Sequence, residues 1–240
     1  MSATFKRLIP NVVLQTARRW LHGDPTPKEA FERIYRDGTW GKSADALDPF
    51  YSGAGSHMPG IVPVYVDAVE EFLRSLGGKP DAVDLGCGDF AVGSKLRPLC
   101  RRYVACDVVE PLILRNRQKF AALDVDFQLV DITADVLPAG DVVFIRQVLQ
   151  HLSNRHIQSV VDKLLQYRYV VLTEHLPSSP AFEPNLDKSV GAGTRLGIGR
   201  SGSGVVLTKP PFNLRAIETR MLCEVSEGTS VIRTEVYQLR

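Results

Sequence analysis

The run Asp81-Ala-Val-Asp-Leu-Gly-Cys-Gly-Asp-Phe90 constrains this chain more than any other segment. An apolar stretch ends in an acid, Asp84, and two glycines, Gly86 and Gly88, then bracket a single residue. A second strand-like run, Tyr103 to Asp107, ends in another acid. A glycine-rich turn after a strand lets a ligand come close to the backbone, and an acid closing the next strand can grip a ribose about twenty residues on. The layout predicts a nucleoside-containing cofactor at the carboxyl edge of a parallel sheet.

A dinucleotide site asks for G-x-G-x-x-G/A, and Ala91 satisfies the third position, so spacing alone keeps NAD open. Asp84 argues against it. A carboxylate directed at the turn suits a cationic ligand better than a pyrophosphate, and S-adenosylmethionine carries an ammonium and a sulfonium and no phosphate. The stretch Val83-Asp-Leu-Gly-Cys-Gly-Asp89 resembles the cofactor motif of the class I S-adenosylmethionine-dependent methyltransferases. Phe90 departs from the pattern, since many members have glycine there.

Downstream, strand-like runs alternate with helical ones: strands at 82–85, 103–108, 126–130, 141–146 and 169–173, helices at 92–99, 111–123 and 154–165. Such alternation implies a parallel sheet with right-handed crossovers. Two long strand-like runs around Glu227-Gly228 read as a hairpin, and the resemblance implies that it closes the sheet as an antiparallel pair. The expected fold is α/β, a doubly wound, seven-stranded Rossmann-like sheet with N-terminal helices. Residues 1–61 form a helical segment with a glycine-rich front loop, a lid or dimer contact. Residues 62–240 form the cofactor-binding domain, with a substrate-loop insert at about 176–212.

The resemblance also implies roles at the sheet edge. Asp84 would hold the ammonium, with Gly86 and Gly88 against the amino acid moiety. Asp107 would accept both ribose hydroxyls and Val108 would flank the adenine. Asp131 and Ile132 would meet the adenine amino group and ring, and Arg146 and Gln147 would close the pocket near the methyl group.

Methyl transfer needs an aligned nucleophile, and a hydroxyl acceptor gains from a base, for which histidine is suited. His151, after the fourth strand, and His175, after the fifth, are the leading candidates, with His57 in the front loop behind them. Trp40, Glu174, Asn185, Asp187, Lys188 and Arg195 are the candidate acceptor-binding residues, suited to a polyhydroxylated or anionic molecule. Glu174 and Asp187 lack the spacing of a metal signature, so no metal is expected.

A net charge of +2 gives no basic footprint for nucleic acid. The four cysteines form no C-x-x-C pair, no run of about 20 apolar residues occurs, and no secretory signal is evident, which fits a reducing cytoplasm. Phe5, Leu8, Ile9, Val12, Val13 and Trp20 recur at helical spacing beside basic residues. Packing on the domain or on a partner subunit of a homodimer is the simpler expectation for that helix, and peripheral contact with an anionic membrane is the other. The reading is a methyltransferase that converts S-adenosylmethionine to S-adenosylhomocysteine while O-methylating a small molecule, such as a sugar, glycoconjugate or natural-product hydroxyl. An N-methyltransferase and a non-catalytic binding module of the same fold are the alternatives.

Overall fold

The computed structural model describes residues 25–45 and 48–240. The helix expected in the first twenty-odd residues lies outside the described residues. The first described helix, α1 (Pro27–Arg36), starts where Thr26 and Glu29 form a capping box: Glu29 N–H donates to Thr26 Oγ1 at 3.3 Å, and Thr26 N–H donates to Glu29 Oε2 at 2.9 Å. That exchange satisfies two backbone donors that a helix start otherwise leaves unpaired. Ala30 and Ile34 bury one face of α1. The second helix, α2 (Val62–Ser75), buries Tyr65, Val69, Phe72 and Leu73.

Seven strands follow: β1 (Asp81–Leu85), β2 (Arg102–Asp107), β3 (Asp126–Leu129), β4 (Val142–Arg146), β5 (Tyr169–Pro177), β6 (Glu218–Glu227) and β7 (Ser230–Gln238). Between them lie α3 (Gly93–Leu96), α4 (Glu110–Lys119) and α5 (Asn154–Leu164). The sheet order is β3-β2-β1-β4-β5-β7-β6, with β1 to β5 parallel and β7 antiparallel to both β5 and β6. Alternate side chains feed two cores. Val83, Leu85, Val104, Cys106, Val143 and Ile145 face one side, and Ala82, Tyr103, Ala105, Val142 and Phe144 face the other. Strands buried on both faces are what parallel sheets require.

The chain leaves β1 for β2 on one side and reaches β4 on the other, so the crossovers part between β1 and β4. In open α/β sheets the crevice at such a point, outside the carboxyl ends of the strands, is where ligands bind.

Three elements differ from their sequence reading. The helix expected at 92–99 is one α-turn followed by a 3-10 turn, Arg97–Leu99, because Pro98 has no N–H with which to continue an α-helix. The helix expected at 111–123 likewise ends in a 3-10 turn, Ala121–Leu123. β5 runs to Pro177 rather than 173, since β7 pairs along its whole length, from Tyr169 opposite Gln238 to Pro177 opposite Ser230. No helix among the described residues is long and apolar enough to cross a membrane.

Candidate active site at the carboxyl edge of the sheet

The turn after β1 fits nothing but glycine at two positions. Gly86 has φ +78°, and a Cβ there would lie 2.5 Å from Val148 Cγ2. Gly88 has φ +55°, and a Cβ there would lie 2.4 Å from Ser52 Oγ. The N–H groups of Gly86 and Cys87 both donate to the Cys106 carbonyl, each at 2.9 Å, while Gly88 N–H donates to Asp107 Oδ2 at 3.0 Å. Phe90 also holds a positive φ, +61°, a backbone state that favours glycine. Its ring is fully buried among Tyr103, Phe120 and Phe127, and it fills the space above Gly93, where a Cβ would lie 2.3 Å away. Aromatic packing therefore supports the conformation that glycine would adopt freely.

Carboxylates surround this turn, with Asp84 and Asp107 buried and Asp131 half-buried. Asp84 accepts a hydrogen bond from Tyr103 O–H at 3.0 Å. Burial pushes its pKa up to about 7, and the hydrogen bond and nearby Arg146 only moderate the rise. Asp107 also accepts from Val109 N–H at 3.1 Å, and burial raises its pKa to about 6 against those backbone donors. Asp131 Oδ1 accepts from Thr133 N–H at 2.9 Å and from its hydroxyl at 2.6 Å. Every cofactor candidate from the sequence lines one cavity of about 260 Å³: Asp84, Gly86, Gly88, Asp107, Val108, Asp131, Ile132, Arg146 and Gln147. Its wall carries four carboxylates, Asp84, Asp89, Asp107 and Asp131, against one guanidinium, Arg146.

A roof covers the turn. Ser52 N–H donates to Asp89 Oδ2 at 2.8 Å, and Asp89 N–H donates back to Ser52 Oγ at 2.7 Å. Tyr35 Oη lies 2.9 Å from Ser52 Oγ, and His57 Nε2 lies 2.7 Å from Asp89 Oδ2. Arg146 donates to the Gly55 carbonyl at 2.6 Å, fastening the front loop to β4. Trp40 Nε1–H donates to the Ala192 carbonyl at 3.2 Å, so the front loop meets the insert over the cavity. Sequence reasoning missed Tyr35, Ser52 and Asp89. Asp89 was within reach, as it directly follows Gly88.

His151 and His175 occupy different places. His151 is 6% exposed and lines the cavity, its ring 4.9 Å from that of Trp40 and 6.3 Å from that of Phe31. Burial, with Lys188 nearby, lowers its pKa to about 4, so the ring is neutral at pH 7. Gln150 Oε1 accepts from His175 N–H at 3.2 Å, which turns the Gln150 amide nitrogen towards His151 Nε2, also at 3.2 Å. An amide N–H pointing there marks Nε2 as the nitrogen with the lone pair. His175 lies away from the cavity. Its Nε2 is 2.7 Å from Ser230 Oγ and 3.1 Å from Glu227 Oε2, towards the hairpin turn, so the structure does not bring it together with the other site candidates.

Of the acceptor-binding candidates, Trp40 lines the cavity and the other five lie off its wall. Glu174 is buried and accepts Leu149 N–H at 3.2 Å and Gln150 N–H at 3.1 Å, holding the turn that carries His151. Asn185 ties the insert to itself, donating to the Val206 and Pro210 carbonyls at 2.9 Å each. Asp187 accepts Asn154 N–H at 2.7 Å at the start of α5. Lys188 donates to the His151 carbonyl at 3.3 Å. Arg195 is fully buried and donates to the Leu152 carbonyl at 2.5 Å and to the Leu186 carbonyl. A long segment with no helix or strand has backbone groups to satisfy, and these polar side chains are spent on that task.

Comparison with known proteins agrees with this geometry. Residues 83–167 match the family model of a methyltransferase domain. No curated protein matches the chain in sequence. Among solved structures, the N-terminal domain of EvdMO1, determined with S-adenosylhomocysteine and D-fucose, aligns with TM-score 0.55 at 16% identity, over 88% of this chain and 96% of that one. An S-adenosylmethionine-dependent methyltransferase from Leishmania major aligns with TM-score 0.56 at 15% identity, over 77% and 76%. The N-methyltransferase NodS from Bradyrhizobium japonicum, with S-adenosylhomocysteine, aligns with TM-score 0.54 at 15% identity, over 76% and 90%. The matched segment bears both the glycine turn and the carboxylates that follow β1 to β3, so the chain carries a methyltransferase-domain match at its candidate site and shares its fold with S-adenosylmethionine-dependent methyltransferases.

Proposed function

We propose that the protein transfers the methyl group of S-adenosylmethionine to a hydroxyl of a small molecule, with His151 as general base. The cavity suits that donor. Two buried carboxylates with raised pKa values, Asp84 and Asp107, favour a ligand that brings positive charge and hydroxyl donors. The four-to-one excess of carboxylates disfavours a pyrophosphate. Asp84 would hold the ammonium and Asp107 the ribose hydroxyls, with Gly86 and Gly88 admitting the ligand to the backbone. Val108, Asp131 and Ile132 would flank the adenine, and Arg146 and Gln147 the far end. When bound, the sulfonium supplies a methyl carbon open to in-line attack.

The remaining work falls to the chain's own residues. The roof built by Ser52, Asp89, Trp40 and Ala192 excludes water and orders the acceptor, which supplies much of the rate in such a displacement. His151 carries the reading that the acceptor is a hydroxyl. Among the described histidines it alone lines the cavity, and it is neutral with a lone pair on Nε2. A hydroxyl oxygen becomes strongly acidic as its new C–O bond forms, so a base with pKa near 4 suffices to take the proton. The proton goes to Nε2, exchanging with the Gln150 N–H that rests there. Residues 62–240 make up the transferase domain in this proposal, and the front loop carrying Trp40 and Ser52 serves as its lid.

The test is transfer of a labelled methyl group to matched alcohol and amine acceptors of equal size. Methylation of the alcohol with the amine left unmodified is the expected result. Methylation of the amine alone would replace the proposal with N-methylation.

A further inference from the structure

From the acceptor end of the cavity we infer that the methyl acceptor is an uncharged aromatic alcohol, a phenol, rather than a sugar or an anion. The inference rests on methyl transfer occurring in this cavity. Along the sheet edge the carboxylates belong to β1, β2 and the end of β3, so the acceptor end lies past β4, beneath Trp40. Its surface there comes from the rings of Phe31, Trp40 and His151 and from Leu152. Rings set at 4.9 to 6.3 Å from one another offer apolar walls to a flat guest.

The one charged side chain bordering this end, Arg146, is already engaged by the Gly55 carbonyl and Gln147 Oε1. Lys188, Arg195, Asp187 and Glu174 are each tied to backbone groups and lie off the cavity wall. His151 is neutral at pH 7. An ionised acceptor would be desolvated opposite a guanidinium already held by protein carbonyls, at a cost that an uncharged guest avoids.

Polar side chains here are few, and Thr194, beside Ala192, already accepts from Leu196 N–H at 3.5 Å. Gln150 lines the wall, but its oxygen is taken by His175 N–H and its nitrogen by His151. Gln147 Oε1 accepts from Arg146 at 3.3 Å. A sugar would bury several hydroxyls against groups already engaged, and each one left unpaired costs about 1–3 kcal/mol. A phenol buries one hydroxyl, the one that reacts, and offers a ring to the walls.

Trp40 provides the readout, because its indole N–H sits at this end, hydrogen-bonded to Ala192. Phenol, methyl glucoside and benzoate would each be titrated into nitrogen-15-labelled protein at pH 7.5, with and without saturating S-adenosylhomocysteine. The Trp40 resonance is assigned by its disappearance in Trp40→Phe, which separates it from Trp20. Phenol is expected to shift that resonance and to saturate at a concentration at least ten-fold lower than either competitor. Earlier saturation by the glucoside or by benzoate, or a resonance that phenol leaves unmoved in both series, overturns the inference. The cofactor reading fails independently if S-adenosylhomocysteine itself gives no heat of binding.

Discussion

Asp84→Asn is expected to yield a protein that is more stable at pH 8 and that binds S-adenosylmethionine about 100-fold more weakly. The folded chain holds Asp84 near pKa 7, against an ordinary 3.8, because burial penalises the carboxylate. A carboxyl whose pKa rises on folding contributes stability that is complete below its unfolded value and is lost as pH climbs through its folded value. The window is therefore about pH 4 to 7, and at pH 8 the penalty is fully present. Its size is on the order of 2–4 kcal/mol. Asparagine removes the charge and keeps an oxygen to accept Tyr103 O–H. Glu174, with pKa raised to about 8, behaves in the same direction but is present in both proteins and cancels in the comparison. His151 acts oppositely. Its lowered pKa gives stability that is present above pH 6.5 and lost as pH falls towards 4, so the comparison is read at pH 8. The loss of affinity follows from deleting the charged partner of an ammonium, since a charge-assisted hydrogen bond is worth about 1.5–3 kcal/mol. Denaturant melts at pH 4.5 and 8, with a titration of cofactor at pH 8, check both halves. A variant less stable at pH 8 that keeps full affinity would contradict the assignment of Asp84.

His151→Gln is expected to lower kcat by about 10²–10⁴-fold while leaving cofactor affinity within a few-fold, because a general base contributes that range. Glutamine can fill the ring's place beside Gln150 but accepts no proton. At saturating S-adenosylmethionine the wild-type kcat profile should be flat from pH 8 to about 5 and fall through about 4, where His151 protonates, rather than through the 6.5 usual for histidine. His175→Gln is the control. His175 contacts Ser230 and Glu227 away from the cavity, so its loss should change kcat by less than ten-fold. Equal effects of the two substitutions, or an acid limb near 6.5 in kcat at saturating cofactor, would remove His151 from the reaction.

Much of the candidate site was legible because it is local. The glycine turn and Asp84 sit within ten residues, and Asp107, Asp131 and Arg146 each close or follow a strand whose end a hydrophobic run announces. The roof was not legible in the same way. Ser52 and Asp89 are 37 residues apart, and Trp40 and Ala192 are 152 apart, distances that no periodicity encodes. The insert misled for a physical reason. Its hydrogen-bonding side chains suggested a polar acceptor, yet Asn185 and Arg195 are needed to satisfy the carbonyls of a segment that forms no ladder. Phe90 read as an irregularity in a glycine position. Its left-handed backbone is held by three aromatic neighbours that come together only in the folded chain.

Calorimetric titration of the wild-type chain with S-adenosylhomocysteine at pH 8 and at pH 5.5 tests the central claim most directly. One site per chain is expected, with affinity higher at pH 8, where Asp84 and Asp107 are ionised, than at pH 5.5, where both are largely protonated. No heat at either pH, or equal affinity at both, would contradict the assignment of these carboxylates to the methyl donor.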